Sequence, residues 1–187
     1  MHNKERLDGL GSEYFSSMTK EERNMAFDFL LKRLQSGGTE ESVHGLFRAN
    51  PDRAIDVVKD LLSSKTLSPE ASIAAAWNLY TIQNDEALLP IFIRFMADPD
   101  HRLREKAAYY VPSDVLTEEL KSSLQGMIRT ETQQLARIHA VDKLLDSYGV
   151  SEESVGKAKY LYFYRGLHNE DLQLKESIFR QLEVLVS

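Results

Sequence analysis

Apolar residues recur at intervals of three and four along almost the whole chain, and no segment sustains the alternation of a strand. A period near 3.6 residues marks amphipathic helices, so an all-α fold is expected. Met25, Ala26, Phe29, Leu30 and Leu34 form one stripe, widened by Phe27 and Leu31. Ile55, Val58, Leu61 and Leu62 form another. Punctuation residues divide the pattern. Thr19 with Glu22, and Thr130 with Gln133, have the spacing of a capping box, in which each side chain reaches the other's backbone N–H. Asn50-Pro51 and Ser68-Pro69 set a capping side chain before a proline, which fits the first helical position because no N–H is needed there. Asp100, Ser151 and Asn169 are further N-caps, and Gly37-Gly38, Pro112 and Gly149 are stops.

After an N-terminal extension over 1–18, these marks predict about ten helices. They cover residues 19–35, 40–49, 51–63, 69–83, 86–97, 101–111, 114–129, 131–148, 151–167 and 170–186. Pro90 falls in a first turn, where its missing N–H costs little. Short loops make successive helices antiparallel neighbours. Taken in pairs they begin roughly every 28–37 residues, one helical hairpin per period. The expected architecture is therefore a right-handed α-solenoid of about five antiparallel hairpins, forming a single domain over 19–187.

Composition removes several function classes. The 187 residues include no cysteine, which excludes disulfides, thiolate zinc sites and Cys nucleophiles. Twenty-nine acidic against 23 basic side chains give a net charge of −6. Nucleic-acid binders draw most of their affinity from basic groups on phosphates, so a basic protein is the expected partner and nucleic acid is not. No apolar run has membrane-spanning length, and MHNKERLDGLGSEYF lacks the apolar core of a signal peptide. The expectation is a cytoplasmic protein with no membrane contact.

One turn gathers groups that could do chemistry: Asp98, Asp100, His101, Arg102 and Arg104. Each also has a structural use. Asp100 caps the following helix, Pro99 stops the preceding one, and Arg104 can reach a turn aspartate in its own hairpin or the next. Elsewhere the histidines at 2, 44, 101, 139 and 168 never fall three or four apart, so no helix face offers a two-His metal site. Glycine-rich phosphate loops and G-x-S-x-G elbows are missing. Glu21-Glu22, Glu118-Glu119 and Glu152-Glu153 lie in first turns, where negative charge favours the helix dipole. Tyr160, Tyr162, Phe163 and Tyr164 could form a stacking platform, but in a terminal helix they read better as a packed core with a tyrosine rim. The chain is thus expected to be no enzyme, with no catalytic residue, metal or cofactor.

The stretch ALLPIFIRFMADPDHRLREKAAYYV, residues 87–111, resembles a HEAT repeat. The likeness lies in Leu89-Pro90 of the first helix, Asp98-Pro99-Asp100 of the turn, and Leu103-Arg104 with Ala107-Ala108 of the second helix. Residues 131–148 echo it through Ala136-Arg137 and Ala140-Val141, and residues 69–83 keep Ala75-Ala76. The outer units are degenerate, as ends that must face water are. This resemblance implies an Asp–Arg ladder between hairpins and assigns Asp98 and Arg104 to it. Pro90, Asp100 and Arg137 are structural residues on the same view.

The resemblance also places a binding surface, since second helices of such hairpins line a concave face. Aligned on their Ala pairs, they put Trp77, Tyr109 and Asp142 at one equivalent position, with Arg180 in the last unit. His139 lies one turn before Asp142, and Arg102 and Lys106 flank Tyr109 as a cationic edge. Trp77 fits the pattern either as core or as surface; Tyr109 is the clearer surface residue. Trp, Tyr and Arg are enriched at the energetic centres of interfaces. The resemblance, the size and the acidity imply a non-catalytic protein-binding module. Its expected form is an immunity protein, monomeric until it binds and neutralises a cognate, basic, nuclease-type toxin. A HEAT-like scaffold or adaptor is the alternative. A HEAT-like DNA glycosylase using Trp77, Tyr109 and Asp142 is disfavoured by the acidic balance.

Overall fold

The computed structural model describes residues 11–186; the first ten residues of the expected N-terminal extension lie outside them. Among the described residues there are twelve α-helices and no strand. They are α1 (Ser12–Ser16), α2 (Lys20–Gln35), α3 (Glu40–Ala49), α4 (Pro51–Ser63), α5 (Pro69–Gln83), α6 (Leu89–Met96), α7 (His101–Tyr110), α8 (Glu118–Thr130), α9 (Gln134–Ser147), α10 (Glu152–Val155), α11 (Lys157–His168) and α12 (Leu172–Val186). A 3-10 turn over Glu86–Leu88 leads into α6. Among the described residues no helix is long and apolar enough to cross a membrane.

Most boundaries follow from local capping. The Thr19–Glu22 box forms, with the Glu22 N–H donating to Thr19 Oγ1 and the Thr19 N–H to Glu22 Oε2. Asn50 and Ser68 accept from the N–H groups of Arg53 and Ala71, each before a helix-opening proline. Several expected boundaries move: α8, expected from 114, starts at Glu118 with Thr117 as its cap, and α6 starts at Leu89. Thr130 does not open a capping box: its hydroxyl donates back to the Gly126 carbonyl, and α9 starts only at Gln134. The helix expected over 151–167 breaks at Gly156, whose φ of +82° suits glycine and separates α10 from α11.

The chain forms two compact units, Met1–Leu88 and Leu89–Ser187. In the first, α2–α3 and α4–α5 are hairpins whose second helices, α3 and α5, pack side by side. Phe27, Leu34, Val43, Leu46, Val58 and Leu79 anchor its core, with Phe15 of α1 tucked into it. The α2 stripe is rotated from the expected one. Phe27, Leu30 and Leu34 are buried, while Met25 and Phe29 are 65% and 61% exposed. Arg53 of α4 lies over the Phe27 ring at 4.2 Å and pairs with Asp28, which clamps this edge of α2 inward.

In the second unit α6–α7 and α8–α9 are hairpins, with α7 against α9 and α6 against α8. The last pair joins them in the opposite order: α11 packs on α9, and α12 on α8. Gly166 makes the α11–α12 crossing close, since a Cβ there would collide with Ile178 Cδ1. Lys175 ties α12 to α8. Its side chain is 1% exposed, and Nζ donates to the Ile128 carbonyl at 2.7 Å. That carbonyl lies in the last turn of α8, where carbonyls lack helical donors, and the nearby Thr132 N–H is already given to Glu131.

Candidate functional site

The turn between α6 and α7 is structural. Asp98 Oδ1 accepts the Asp100 N–H, and Asp100 Oδ1 accepts the Arg102 N–H, both at 2.9 Å. Arg104 Nη1 donates to the carbonyls of Asp98 and Pro99. Its carboxylate partner, however, is Glu131, not Asp98 as the ladder assignment expects. Nε and Nη2 reach the two Glu131 oxygens at 2.6 and 3.0 Å. The reason lies in the α9 boundary: with α9 starting at Gln134, Glu131 stands in the turn before it and also accepts the N–H groups of Thr132 and Gln133. Arg137 repeats the pattern one hairpin on, donating to Glu170 in the turn before α12 at 2.9 Å. Hydrogen bonding to Arg104 holds the Glu131 carboxyl below its ordinary range. Pro90 is the second residue of α6, as its missing N–H requires. Among the described residues no group of three or more His, Asp and Glu could hold a metal ion.

In the first unit Trp77 is half-buried, with the His44 ring edge-on at 5.5 Å. Asn78, buried beside it, donates from Nδ2 to His44 Nδ1 and to the Ala74 carbonyl. Neighbouring Ile73 is wholly buried. Packing thus accounts for much of Trp77.

The second unit brings more of the expected residues together. Tyr109 of α7 is 54% exposed and meets the His139 ring of α9 edge-on at 5.1 Å. Asp142, the next turn of α9, is half-buried. Burial and the charge of Asp146 push its carboxyl above the ordinary range, and among the described residues it forms no hydrogen bond and no ion pair. Lys143 beside it is pulled down by burial and is likewise unpaired among the described residues. Arg102 is exposed and Lys106 half-buried on the same α7.

Arg180 does not continue this row. With α12 on α8, it lines a cavity of about 420 Å³ with Lys159, Phe163 and Val184 instead. The helix that continues the row is α11. Tyr160 and Tyr164 stack at 5.8 Å with 26° between their planes, and His168 follows 4.6 Å from Tyr164. The stacked pair combines the two sequence readings of this run, a stacking platform and a tyrosine rim, although neither residue is among the expected partner-binding residues. Their spacing of four along one helix face was the available signal. Burial first, then the charge of Asp142, raises both phenols above their ordinary range. At the far end His168 Nε2 is buried without a hydrogen-bond partner. Burial, Arg137 and Lys175 all pull that imidazole below its ordinary range.

Chemically, this surface offers aromatic area and a half-buried carboxylate in no ion pair among the described residues. Comparisons of the chain with family models, with curated proteins and with solved structures give no match.

Proposed function

We propose that the chain is a non-catalytic protein-binding module, a HEAT-like right-handed α-solenoid of about five hairpins. In its specific form it is an immunity protein that neutralises a basic, nuclease-type toxin. The side-by-side packing of α3 with α5, and of α7 with α9, supports stacked hairpins. The reversed order of α11 and α12 departs from that pattern in the last pair, and terminal units of such arrays are commonly irregular.

One observation carries the functional reading: α9 presents Asp142, half-buried and in no ion pair among the described residues, between the Tyr109–His139 contact with α7 and the packed helix α11 that bears the Tyr160–Tyr164 stack. Interface centres favour such aromatic side chains, and charge complementarity selects the partner. A half-buried carboxylate has already lost part of its hydration in the free protein, so a partner's cation gains more from it than from a solvated one. The net charge of −6 steers the same class of partner. A phosphate backbone would meet Asp142 and Asp146, which disfavours the glycosylase reading.

Co-expression with the product of the adjacent gene, followed by size-exclusion chromatography and calorimetry, tests the proposal. A one-to-one complex of nanomolar strength is expected, burying about 1,600 Å². A chain that stays alone and protects against no adjacent toxin overturns the immunity form. An electrophoretic shift on DNA at moderate salt overturns the protein-binding reading itself.

A further inference from the structure

We infer that the outward face of α2 is a self-association surface, on which a second copy of this chain lays its own α2 antiparallel. The surface lies in the first unit and is independent of the binding reading above. Helix α2 buries Phe27, Leu30 and Leu34 and turns Glu22, Met25, Phe29 and Lys32 to solvent. Met25 and Phe29 are among the most exposed large apolar side chains of the described residues. The intervals of three, four and three between the four exposed residues are those of a coiled-coil seam. Such a stripe is narrow enough for one helix to cover.

Charge complementarity says what covers it. Glu22 stands three residues before Met25, and Lys32 three residues after Phe29. An antiparallel pair that sets Met25 against Phe29 of the second copy therefore sets Glu22 against Lys32 of that copy, and twofold symmetry makes each contact twice. In a parallel pair Glu22 would meet Glu22 and Lys32 would meet Lys32, so charge selects the antiparallel order. The Lys32 side chain has no ion pair among the described residues. Glu22 gives Oε2 to the Thr19 N–H and keeps its other oxygen for a partner. Asp28, beside the symmetry axis, already pairs with Arg53 of α4 at 2.8 Å, so its two copies do not meet as bare charges. Arg33 lies 6.0 Å from the Phe29 ring centre and still leaves that side chain 61% exposed.

At the centre the Met25 thioether meets the Phe29 ring of the other copy, twice, a contact that suits methionine. The interface is one helix wide and falls at the low end of specific contacts, below about 1,200 Å². The dimer is therefore weak, with a Kd on the order of tens of micromolar, and separates on dilution. It takes the place of the monomer expected from the resemblance and uses no residue of α7, α9 or α11.

Sedimentation equilibrium of the full chain, at concentrations from about 1 to 300 µM, tests the proposal. The apparent mass should rise from that of one chain towards that of two. Lys32→Glu alone and Glu22→Lys alone should each weaken association about tenfold, since each sets like charges together. An equimolar mixture of these two variants should regain it, because every acidic position then faces a basic one. Phe29→Ala should weaken it by about tenfold as well. If Glu22→Lys fails to fold once its capping contact is lost, Lys32→Glu and Phe29→Ala decide. A single-chain mass throughout, association unchanged in Lys32→Glu, or no recovery in the mixture overturns the dimer. So does a monomer in which Phe29→Ala lowers the urea midpoint as truncation of a buried side chain does, since the chain's own residues then cover the face. A monomer that loses toxin binding through Phe29→Ala gives the face to the toxin and equally overturns the dimer.

Discussion

Arg104 grips Glu131 through two N–H donors, at 2.6 and 3.0 Å, and the Glu131 side chain is only 2% exposed. Removing the guanidinium strands a buried carboxylate. Arg104→Met should therefore destabilise by about 3 kcal/mol in chemical denaturation, and pairing it with Glu131→Gln should recover much of the loss. Arg137 gives Glu170 one bond only, from Nη1, and Glu170 is 83% exposed and rehydrates freely. Glu170→Gln should cost under about 1 kcal/mol.

The same pair sets an acid limb. Glu131 is held below its ordinary value of 4.5, so its contribution is complete above that pH and is lost as pH falls through the lowered value. Stability measured against pH should drop steeply there, and Glu131→Gln should flatten that limb while lowering the neutral plateau.

His168 acts higher on the scale. Its imidazole titrates below the ordinary 6.5 because it is buried near Arg137 and Lys175. Between the two values the unfolded chain holds a proton that the folded chain does not. Stability is therefore whole above 6.5 and declines as pH falls towards the lowered value. Comparing urea midpoints of the parent and His168→Gln at about pH 7.5 and 5.5 should show a smaller pH dependence in the variant.

Asp142 has the opposite sign, since its carboxyl sits above the ordinary 3.8. Its ionised form costs the fold stability at neutral pH, and that cost disappears as pH falls through the raised value. Asp142→Asn should stabilise the fold slightly, by no more than about 0.5 kcal/mol, the scale of surface changes, seen as a small rise in the thermal midpoint. It should weaken partner binding at the same time. A variant that is both less stable and normal in binding would contradict the role given to this residue.

At the α11–α12 crossing, Gly166→Ala drives a methyl into Ile178 Cδ1. Overpacking of this kind costs about 1–3 kcal/mol. The clashing atom is the end of a side chain, so Ile178→Val in the same molecule should restore part of the loss, readable from thermal unfolding.

What could be read from the sequence was mostly local. Capping by Thr19, Asn50, Ser68 and Asp100 involves residues two or three apart, and those helix starts fall where expected. On α2, apolar residues cover more than one face, so periodicity did not separate buried Phe27 from exposed Phe29. The resemblance pairs Arg104 with a turn aspartate, but its partner depends on where α9 begins. Glu131 stands before Arg137 at the spacing that Asp98 keeps before Arg104, a register hidden while Glu131 was placed inside a helix. The spacing of small residues aligns Tyr109 of α7 with Asp142 of α9, and the two helices do pack together, with Tyr109 against His139. The order of α11 and α12 is set by contacts with α8 and α9, which no short stretch encodes. For that reason α11, and not the helix that bears Arg180, continues the row of α7 and α9.

Lys175 has a chemical consequence of its own. An amine that is 1% exposed and hydrogen-bonded to a carbonyl is hidden from acylating reagents, whereas exposed Lys20, Lys32 and Lys59 are open to them. Its rate of labelling therefore clocks how often α12 lifts away from α8, turning one side chain into a built-in gauge of local opening.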